Sequence, residues 1–555
     1  MAVTKEELGK VQQTYNQLKT MREPYTKIWR KVARWVDPWY GDMDMEADPT
    51  PNPLPTKTDL FDSTVGYYSQ VFATGLQGYT CSSQSAFFEL TPERTDGSDD
   101  NSLVEVLQAR TRKMYKVFAG SGFYSALHMF FKSFGDLGTG IMLFGVNQDQ
   151  KIYYEYVPNY LCLLMKDSTR GICDTLFRTF WLTKYEAIRM YGEENLPSDI
   201  RDNKTDPVKR YRFIQLICPR DRFELSIDNG FRYIELVWYA NDTEKAVFEG
   251  GSDFLRFAAC PFSEGMDGTG WGTGAPGMRQ FSSSHSLNNM LRDQMNASQL
   301  LASPTIKKTE GVHAEIKPGG FINVPVGGDI APLQLGQDLS WTNVTRQDIR
   351  QIAKADYFVD FFLMLSQYSG TVNTATLAQG LQNEQLKMMT FFLDTLKNRF
   401  FEPVIDWTWN TMGALGMFND QYDIDFKTLQ VDYVSPLYRL QRQAVTLEPT
   451  LMAMNSILPY VQIDQSLMSY IDFGGYVEAV REGTNADARV IRNKKEALAM
   501  MQQQIRMQQE AQQAQQAIAQ QDADTRSYEA TLKAPEEGSV ARKAAANDYS
   551  GLTLY

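Results

Sequence analysis

Two long helical patterns of similar length, separated by a stretch rich in glycine and proline, lie in the middle of the sequence. The first predicts a continuous helix over residues 282–301, about 30 Å long at 1.5 Å per residue, which Ser303-Pro304 ends. The second covers residues 345–366. Between them, residues 305–340 are rich in Gly, Pro and Val and predict a few short strands. This order of helix, small β module and helix constrains the architecture more than any other feature of the chain.

The rest of the chain predicts an α+β protein that is mostly α-helical. Apolar spacing predicts helices over residues 10–36, 63–74, 102–118, 123–134 and 377–412. Runs of β-branched and aromatic residues predict strands over residues 151–157, 175–181, 213–218 and 231–239. Toward the C-terminus we expect short helices over residues 446–482, a Gln-rich helix over residues 486–521 and a flexible tail from residue 522. With 555 residues the chain is long enough for roughly three to four domain-sized units.

The charge balance limits how this chain can use nucleic acid. Its formal net charge is −12, and the sequence shows no basic stripe of the kind that binds phosphates. Two interpretations stay open: DNA is not a partner, or DNA is a partner that must slide and must not be held. No apolar run approaches the ~20 residues of a membrane-spanning helix, and the N-terminal residues are charged. We therefore expect no membrane association and assembly in the cytoplasm.

The sequence carries no motif for catalysis, cofactor binding or a metal centre. The phosphate-binding string G-x-x-x-x-G-K-[ST] is absent. The G-x-G-x-x-G match at Gly272, Gly274 and Gly277 follows other glycines and contains Pro276, which does not fit a dinucleotide site. The histidines lack H-E-x-x-H spacing, and the cysteines include no C-x-x-C pair. We expect no catalytic residue, no cofactor and no metal; an enzyme whose active site is assembled from distant residues is the alternative.

Several strings resemble, in the same order along the chain, those of one family of viral proteins. They are LFDSTVGYYSQVFATGLQGYTCSSQSAFFELTPE at residues 60–93, FYSALH at 123–128 followed by GTG at 138–140, YGEENLP at 191–197, WGTGAPG at 271–277 and VDYVSPLYRLQR at 431–442. Each string alone is weak, but their shared order over most of the chain is specific. On these motifs the chain resembles the head-to-tail connector, or portal, protein family of short-tailed, T7-like bacteriophages.

The resemblance implies the portal fold and a division into named segments. These are a wing (1–282), a first stem helix (283–304), a clip (305–343), a second stem helix (344–366), a tunnel loop with a long wing or crown helix (367–410), a crown (411–485), a helix of the C-terminal helical barrel (486–521) and a flexible tail (522–555).

The resemblance also implies a function. Portal proteins form a homo-oligomeric ring, a dodecamer in this family, at one capsid vertex of the virion between head and tail. Double-stranded viral DNA is packaged and later ejected through this ring. The expected partners are the terminase motor, the tail adaptor and tail proteins, and the major capsid and scaffolding proteins. The alternative is another non-enzymatic virion component, such as a scaffold or an internal ejection protein.

Three cations of the second stem helix are the first candidates for contact with DNA in the channel. Arg346, Arg350 and Lys354 recur every four residues and therefore share one helix face, from which they can touch phosphates weakly. The alternative is a solvated face, or pairing between subunits with nearby carboxylates, namely Asp348, Asp356 and Asp360. An acidic tunnel repels phosphates on all sides, so we expect DNA to slide without being trapped.

The remaining candidates lie in the expected tunnel loop and clip. The tunnel-loop candidates for DNA contact are Asn373, Thr374 and Thr376. Small polar groups there can meet a phosphate backbone without holding it, and a helix N-cap is a compatible interpretation. The clip candidates for partner docking are Lys307, Lys308, Glu310 and His313. The two lysines can meet DNA or a partner carboxylate, or they can be solvated residues that protect an edge strand from mispairing.

Overall fold

The computed structural model describes residues 3–48, 60–92, 101–202, 206–223, 225–227, 230–242, 244–265, 267–302, 306–308, 330–332, 340–367, 375–418 and 424–442, and a few isolated residues at 326, 422, 453–454, 456–457, 475, 503, 506–507 and 525–526. The chain forms two compact units, Met1–Gln441 and Arg442–Tyr555. In the second unit the isolated residues are helical. Apart from them, the helices predicted over 446–482 and 486–521 and the predicted tail lie outside the described residues.

The helices follow the predicted apolar spacing closely. Those described are α1 (Lys5–Trp35), α2 (Thr64–Thr80), α3 (Asn101–Gly120), α4 (Phe123–Leu137), α5 (Lys184–Tyr191), α6 (Ser198–Arg201), α7 (Pro276–Ala302), α8 (Ser340–Asp356), α9 (Val359–Gln367), α10 (Ala375–Leu396), α11 (Glu402–Ala414) and α12 (Pro436–Arg442). A π-helical turn, Lys397–Phe401, joins α10 to α11. The helices predicted over 10–36, 63–74, 102–118, 123–134 and 377–412 are confirmed, although α2 runs on to Thr80.

The strands confirm the mixed α+β class. Those described are β1 (Phe88–Pro92), β2 (Thr139–Val146), β3 (Ile152–Tyr156), β4 (Cys162–Lys166), β5 (Cys173–Thr183), β6 (Arg210–Pro219), β7 (Tyr233–Tyr239), β8 (Ala246–Ser252), β9 (Phe257–Pro261), β10 (Ile306–Lys308), β11 (Ile330–Pro332) and β12 (Leu429–Tyr433). They form a five-stranded antiparallel sheet in the order β4-β5-β6-β7-β8, a three-stranded sheet β3-β2-β9, and two ribbons, β1-β12 and β10-β11. The four predicted strands correspond to β3, β5, β6 and β7.

The first helix spans two parts of the hydrophobic core. Thr4 and Glu7 form a capping box at its start, in which each side chain bonds the backbone N–H of the other residue. Along the helix, Tyr15 packs in the cluster under the five-stranded sheet, and Trp29 is fully buried in the largest cluster. Met21, which helical spacing places on the same apolar stripe as Tyr25 and Trp29, is 58% exposed instead. The helix therefore anchors its C-terminal half to the main core.

An aromatic core joins the early helices to the later ones. Phe130 of α4 stacks on Phe400 with ring centroids 4.0 Å apart. Phe392 of α10 contacts both Phe72 of α2 and Phe134 of α4, at 6.2 and 6.1 Å. Aromatic contacts of this kind stabilise a core by about 0.5–1.5 kcal/mol each beyond the area that they bury. The segment from α10 to α11 is thus part of the same core as α2 and α4.

The glycine-rich stretch before α7 serves close backbone packing. Gly272 lies against Gly138, so that an added Cβ would stand 1.9 Å from the Gly138 carbonyl oxygen. The Gly272 N–H also donates to Thr139 Oγ1 at 2.9 Å. The irregular stretch ends earlier than predicted, because Pro276 already begins α7 where a helix starting near residue 282 was expected. Proline is well suited to the first helical position, since its missing N–H has no partner there in any case.

Candidate functional site

α7 and α8 flank the segment that contains the β10-β11 ribbon, and they run antiparallel to each other. Near the start of α7, Arg279 and Gln280 lie 3.5 and 2.5 Å from carboxylate oxygens of Asp356 at the end of α8. Further along α7, Gln294 accepts a hydrogen bond from Arg346 of α8. The described residues thus show a helix, short strands and a helix in the predicted order.

Arg350 is held by a buried carboxylate that the sequence analysis did not foresee. Its Nη2 lies 2.7 Å from Oδ2 of Asp62, whose side chain is only 2% exposed. Oδ1 of Asp62 accepts a hydrogen bond from the Thr64 backbone N–H at 2.9 Å. Burial alone raises the pKa of Asp62, but the hydrogen bonds from Thr64 and Arg350 outweigh it and hold the pKa below its ordinary value. The pair ties α8 to the start of α2.

Lys354 pairs across the boundary between α8 and α9. Its Nζ lies 2.5 Å from Oδ1 of Asp360, and this hydrogen bond raises the pKa of Lys354 above its ordinary value. Asp360 was predicted as a partner between subunits, whereas the contact seen here lies within one chain. The three cations predicted for DNA contact do share α8, and each has a partner in the same subunit.

The helix predicted over residues 345–366, the expected second stem helix, is interrupted, which corrects the prediction of one continuous helix. α8 ends at Asp356, α9 begins at Val359, and between them Phe358 has a φ of 53° in the left-handed region. A phenylalanine is strained in that region because its Cβ crowds the backbone. Packing holds it in place, since its ring lies 5.8 Å from that of Phe392 and the neighbouring Tyr357 is fully buried.

Tyr357 meets a second buried carboxylate, Asp136 of α4. The Tyr357 hydroxyl donates to Asp136 Oδ1 at 2.8 Å, and the hydroxyls of Ser69 and Tyr40 donate to Oδ2 at 2.7 and 3.1 Å. Burial raises the pKa of Asp136 to about 6, although the hydrogen bonds from Ser69 and Tyr357 lower it in part. This carboxylate therefore joins α2, α4, the turn after α1 and the break between α8 and α9.

Almost the whole chain matches one family model. The model, described as bacteriophage head to tail connecting protein, covers residues 8–491. The chain belongs to this family. The probable portal protein of Bordetella phage BPP-1 is 23% identical over 448 residues, which cover 78% of this chain and 79% of that protein. The portal protein of Salmonella phage epsilon15 is 23% identical over 498 residues, which cover 86% of this chain and 87% of that protein.

Family membership confirms the resemblance predicted from the motifs. Connector and portal proteins are structural components of the phage particle, and they lie at its head-to-tail junction. The function expected from the sequence, that of a head-to-tail connector, is therefore the one that this chain's family performs. No observation favours the alternative of a scaffold or an internal ejection protein.

The other predicted site residues of this connector are described only in part. Thr376 is the second residue of α10, and Lys307 and Lys308 lie in β10, which pairs antiparallel with β11. The candidates that lie outside the described residues are Asn373, Thr374, Glu310 and His313. The tunnel-loop and clip assignments therefore stay predictions.

The described residues contain neither a metal-binding cluster nor a membrane-spanning helix. In those residues, no group of three or more His, Cys, Asp or Glu side chains is placed to hold a metal ion. Over the same part of the chain, no helix is both long and apolar enough to cross a bilayer. The five cysteines are free, and burial raises the pKa values of Cys162 and Cys218 to about 12, so both are thiols at neutral pH.

A further group of cations lies on α1. Lys27, Arg30, Lys31 and Arg34 recur at i, i+3, i+4 and i+7, which is the spacing of a single helix face, and all four are exposed. The expectation that the chain shows no basic stripe is therefore wrong for this helix. The sequence places Lys and Arg opposite the apolar stripe of this helix, although no site was predicted from them.

Proposed function

We propose that the chain is one subunit of a ring at a single capsid vertex, through which double-stranded viral DNA is packaged and later ejected. The observation that carries the proposal is the antiparallel pair α7 and α8 around the segment with the β10-β11 ribbon, in a chain of the connector family. The two relatives, one a portal protein and one a probable portal protein, support it. A ring of twelve copies is part of the proposal, as are docking of a terminase motor and tail adaptors and contact with capsid and scaffolding proteins.

We propose that the portal segments follow the boundaries expected from the sequence, with one change. Residues 1–282 are assigned to the wing, residues 283–304 and 344–366 to the stem, and residues 305–343 to the clip. The change concerns β12, which lies in the segment expected to form the crown. It pairs antiparallel with β1, with Phe88 opposite Tyr433, so this strand belongs with the wing.

We further propose that α8 faces the channel and that Arg346, Arg350 and Lys354 touch phosphates only weakly. Arg350 and Lys354 already pair with carboxylates at 2.7 and 2.5 Å, which cancels much of the attraction that each cation has for a phosphate. A cation without such a partner would instead neutralise a phosphate, release about one counterion from the duplex and so increase the affinity of the protein for DNA. The net charge of −12 acts in the same direction. Both effects favour a duplex that slides.

Electron microscopy of the purified protein tests the ring. We expect closed particles with an axial hole wide enough for a duplex and, on averaging, with twelve-fold symmetry. Particles without such a hole at every protein concentration would contradict the proposal and would instead fit a scaffold or ejected protein.

Substitution of two α8 cations tests the channel assignment. Arg346→Gln together with Lys354→Gln leaves no buried carboxylate unpaired, because Gln294 is neutral and Asp360 is 57% exposed. We expect intact rings with reduced retention of packaged DNA. The matched control is Lys10→Gln with Lys245→Gln, two exposed lysines far from α8 in sequence, and it should retain DNA like the wild type. Unchanged retention in the α8 variant would remove these residues from the channel wall.

A further inference from the structure

A cationic groove runs between α1 and α7. It encloses about 570 Å³, and its rim carries Arg30, Lys31 and Arg34 of α1. Aromatic side chains also line it, among them Trp35 of α1 and His285 of α7, and we call these its aromatic floor. The Trp35 and His285 rings lie 4.3 Å apart. We call this surface the cationic groove.

The cations of the groove have no carboxylate partner among the described residues. No ion pair within that part of the chain involves Arg30, Lys31 or Arg34, whereas the cations of α8 are paired. Two of them lie over aromatic rings: Arg34 stands 4.8 Å from the Trp35 ring centre, and Lys31 stands 5.5 Å from that of Phe281. Cation–π contact of this kind holds a side chain in place without neutralising its charge. The groove therefore presents uncompensated positive charge on an acidic chain.

The partner chemistry that fits this groove is a protein surface with carboxylate and aliphatic groups. Arg and Trp are the residue types enriched at the energetic centres of protein interfaces. A groove between two helices accepts protruding side chains, whereas a duplex offers it no unstacked base for the aromatic floor. A carboxylate flanked by aliphatic side chains would meet the cationic rim and the aromatic floor together.

The same chain carries such a surface on α8. Val344, Asp348 and Ile352 recur every four residues on one face, and Val344 and Ile352 are each 59% exposed. Asp348 is exposed and forms no ion pair with any described residue. At 100° per residue, Val344 and Asp348 lie about 160° around the helix from Arg346 and Ile352 lies about 120° from it, so all three point away from the contact with Gln294. We call this surface the α8 ridge.

We propose that the α8 ridge of one subunit docks into the cationic groove of the next. The inference rests on the proposed ring, because a ring needs two different complementary surfaces on each copy, joined head to tail. The ridge and groove meet that need: one is acidic and aliphatic, and the other is cationic and aromatic. Within a subunit, α7 contacts α1 through Ser284, whose hydroxyl donates to the Trp35 carbonyl at 2.5 Å, and it contacts α8 through other residues, such as Gln294. One chain can therefore present both surfaces.

Reciprocal charge reversal tests this contact in the full chain. Arg30→Glu with Arg34→Glu places carboxylates opposite Asp348 of the neighbour, and Asp348→Lys places a cation opposite the groove. Like charges across an interface cost several kcal/mol, so we expect each variant to lower ring association by at least about tenfold per contact, measured by sedimentation velocity and negative-stain imaging. Combining all three changes in one chain should restore rings, because the charges are again opposite. Circular dichroism and thermal unfolding verify that each variant is folded.

The control and the wild type separate this inference from the proposed function. Lys10→Glu with Lys245→Glu makes the same change in net charge outside the groove and should form rings like the wild type. If the wild type forms no ring, the proposed function fails. If the wild type forms rings and the groove and ridge variants do too, only this inference fails. If the groove variant forms normal rings but no longer binds a labelled duplex, the groove is a DNA site, and this inference is overturned as well.

Discussion

The ion pair between Arg350 and Asp62 gives the sharpest test of how α8 is attached to the rest of the subunit. Arg350→Met keeps an aliphatic side chain but removes the cation, and it leaves a carboxylate that is 2% exposed and whose remaining hydrogen bonds come from Thr64, including the one from the Thr64 backbone N–H at 2.9 Å. Removing one partner of a buried pair costs about 3–5 kcal/mol. Arg350 is 33% exposed, so water reaches part of this site, and we expect a loss of about 2–3 kcal/mol in the free energy of unfolding.

The reverse substitution should cost less. Asp62→Asn keeps a carbonyl oxygen for the Thr64 N–H and leaves Arg350 with partial access to water, so we expect a loss of about 1 kcal/mol. The double variant should be less destabilised than the sum of the two, by about 1–2 kcal/mol, because it leaves no unpaired buried charge. Urea unfolding followed by tryptophan fluorescence, under conditions where the subunit is monomeric, measures all three values.

The pH dependence gives an independent check on the same pair. The pKa of Asp62 is lowered in the folded state, so its contribution is present above the unfolded pKa of about 4 and is lost as the pH falls through the folded value. In Asp62→Asn, the free energy of unfolding should depend less on pH in this acidic range. If the free energy of unfolding of Arg350→Met lies within about 0.5 kcal/mol of the wild type and the double variant is strictly additive, the pair does not stabilise the subunit.

Three further predictions concern buried positions. The pKa of Asp136 is raised to about 6 in the folded state, so the native state binds the proton more tightly than the unfolded state. The free energy of unfolding should therefore fall as the pH rises from about 4 to 6, by about 1.4 kcal/mol per pH unit. In urea unfolding across that range, Asp136→Asn should lose this pH dependence. If the variant keeps it, another group is responsible. Tyr357→Phe removes a hydrogen bond that lowers the Asp136 pKa, so the slope should extend above pH 6, whereas an unchanged titration would show that the bond does not matter. Gly272→Ala places a Cβ 1.9 Å from the Gly138 oxygen and should prevent soluble expression. The control is Gly9→Ala, whose added Cβ meets no atom within 4 Å and should stabilise α1 by up to about 1 kcal/mol. A soluble, normally folded Gly272→Ala variant would contradict close packing at this position.

Helix positions could be predicted from the sequence because apolar spacing is local. Strands with alternating or β-branched patterns, such as β5 and β6, were also predicted. β2 was missed because it is buried on both faces and therefore shows no alternation. β1 was missed because its partner, β12, lies near the other end of the described chain, and pairing over that distance leaves no local pattern.

The candidate site shows the same limit. The shared face of Arg346, Arg350 and Lys354 follows from spacing alone. The partner of Arg350 does not, because Asp62 lies 288 residues away in sequence. The break after α8 was also hidden: it falls in the apolar run YFVDFFLML, where neither glycine nor proline marks it, and tertiary contacts of Tyr357 and Phe358 hold it instead.

The two buried carboxylates fix α8 to the part of the chain assigned to the wing. Arg350 binds Asp62 beside α2, and Tyr357, just past the end of α8, binds Asp136 of α4. These anchors stand about 10 Å apart along the helix at 1.5 Å per residue, so α8 has little freedom to slide or rotate against α2 and α4. In the proposed ring, a change in channel width would then require subunits to move against one another at the proposed contact between the cationic groove and the α8 ridge, because α8 is anchored at both points within its own subunit.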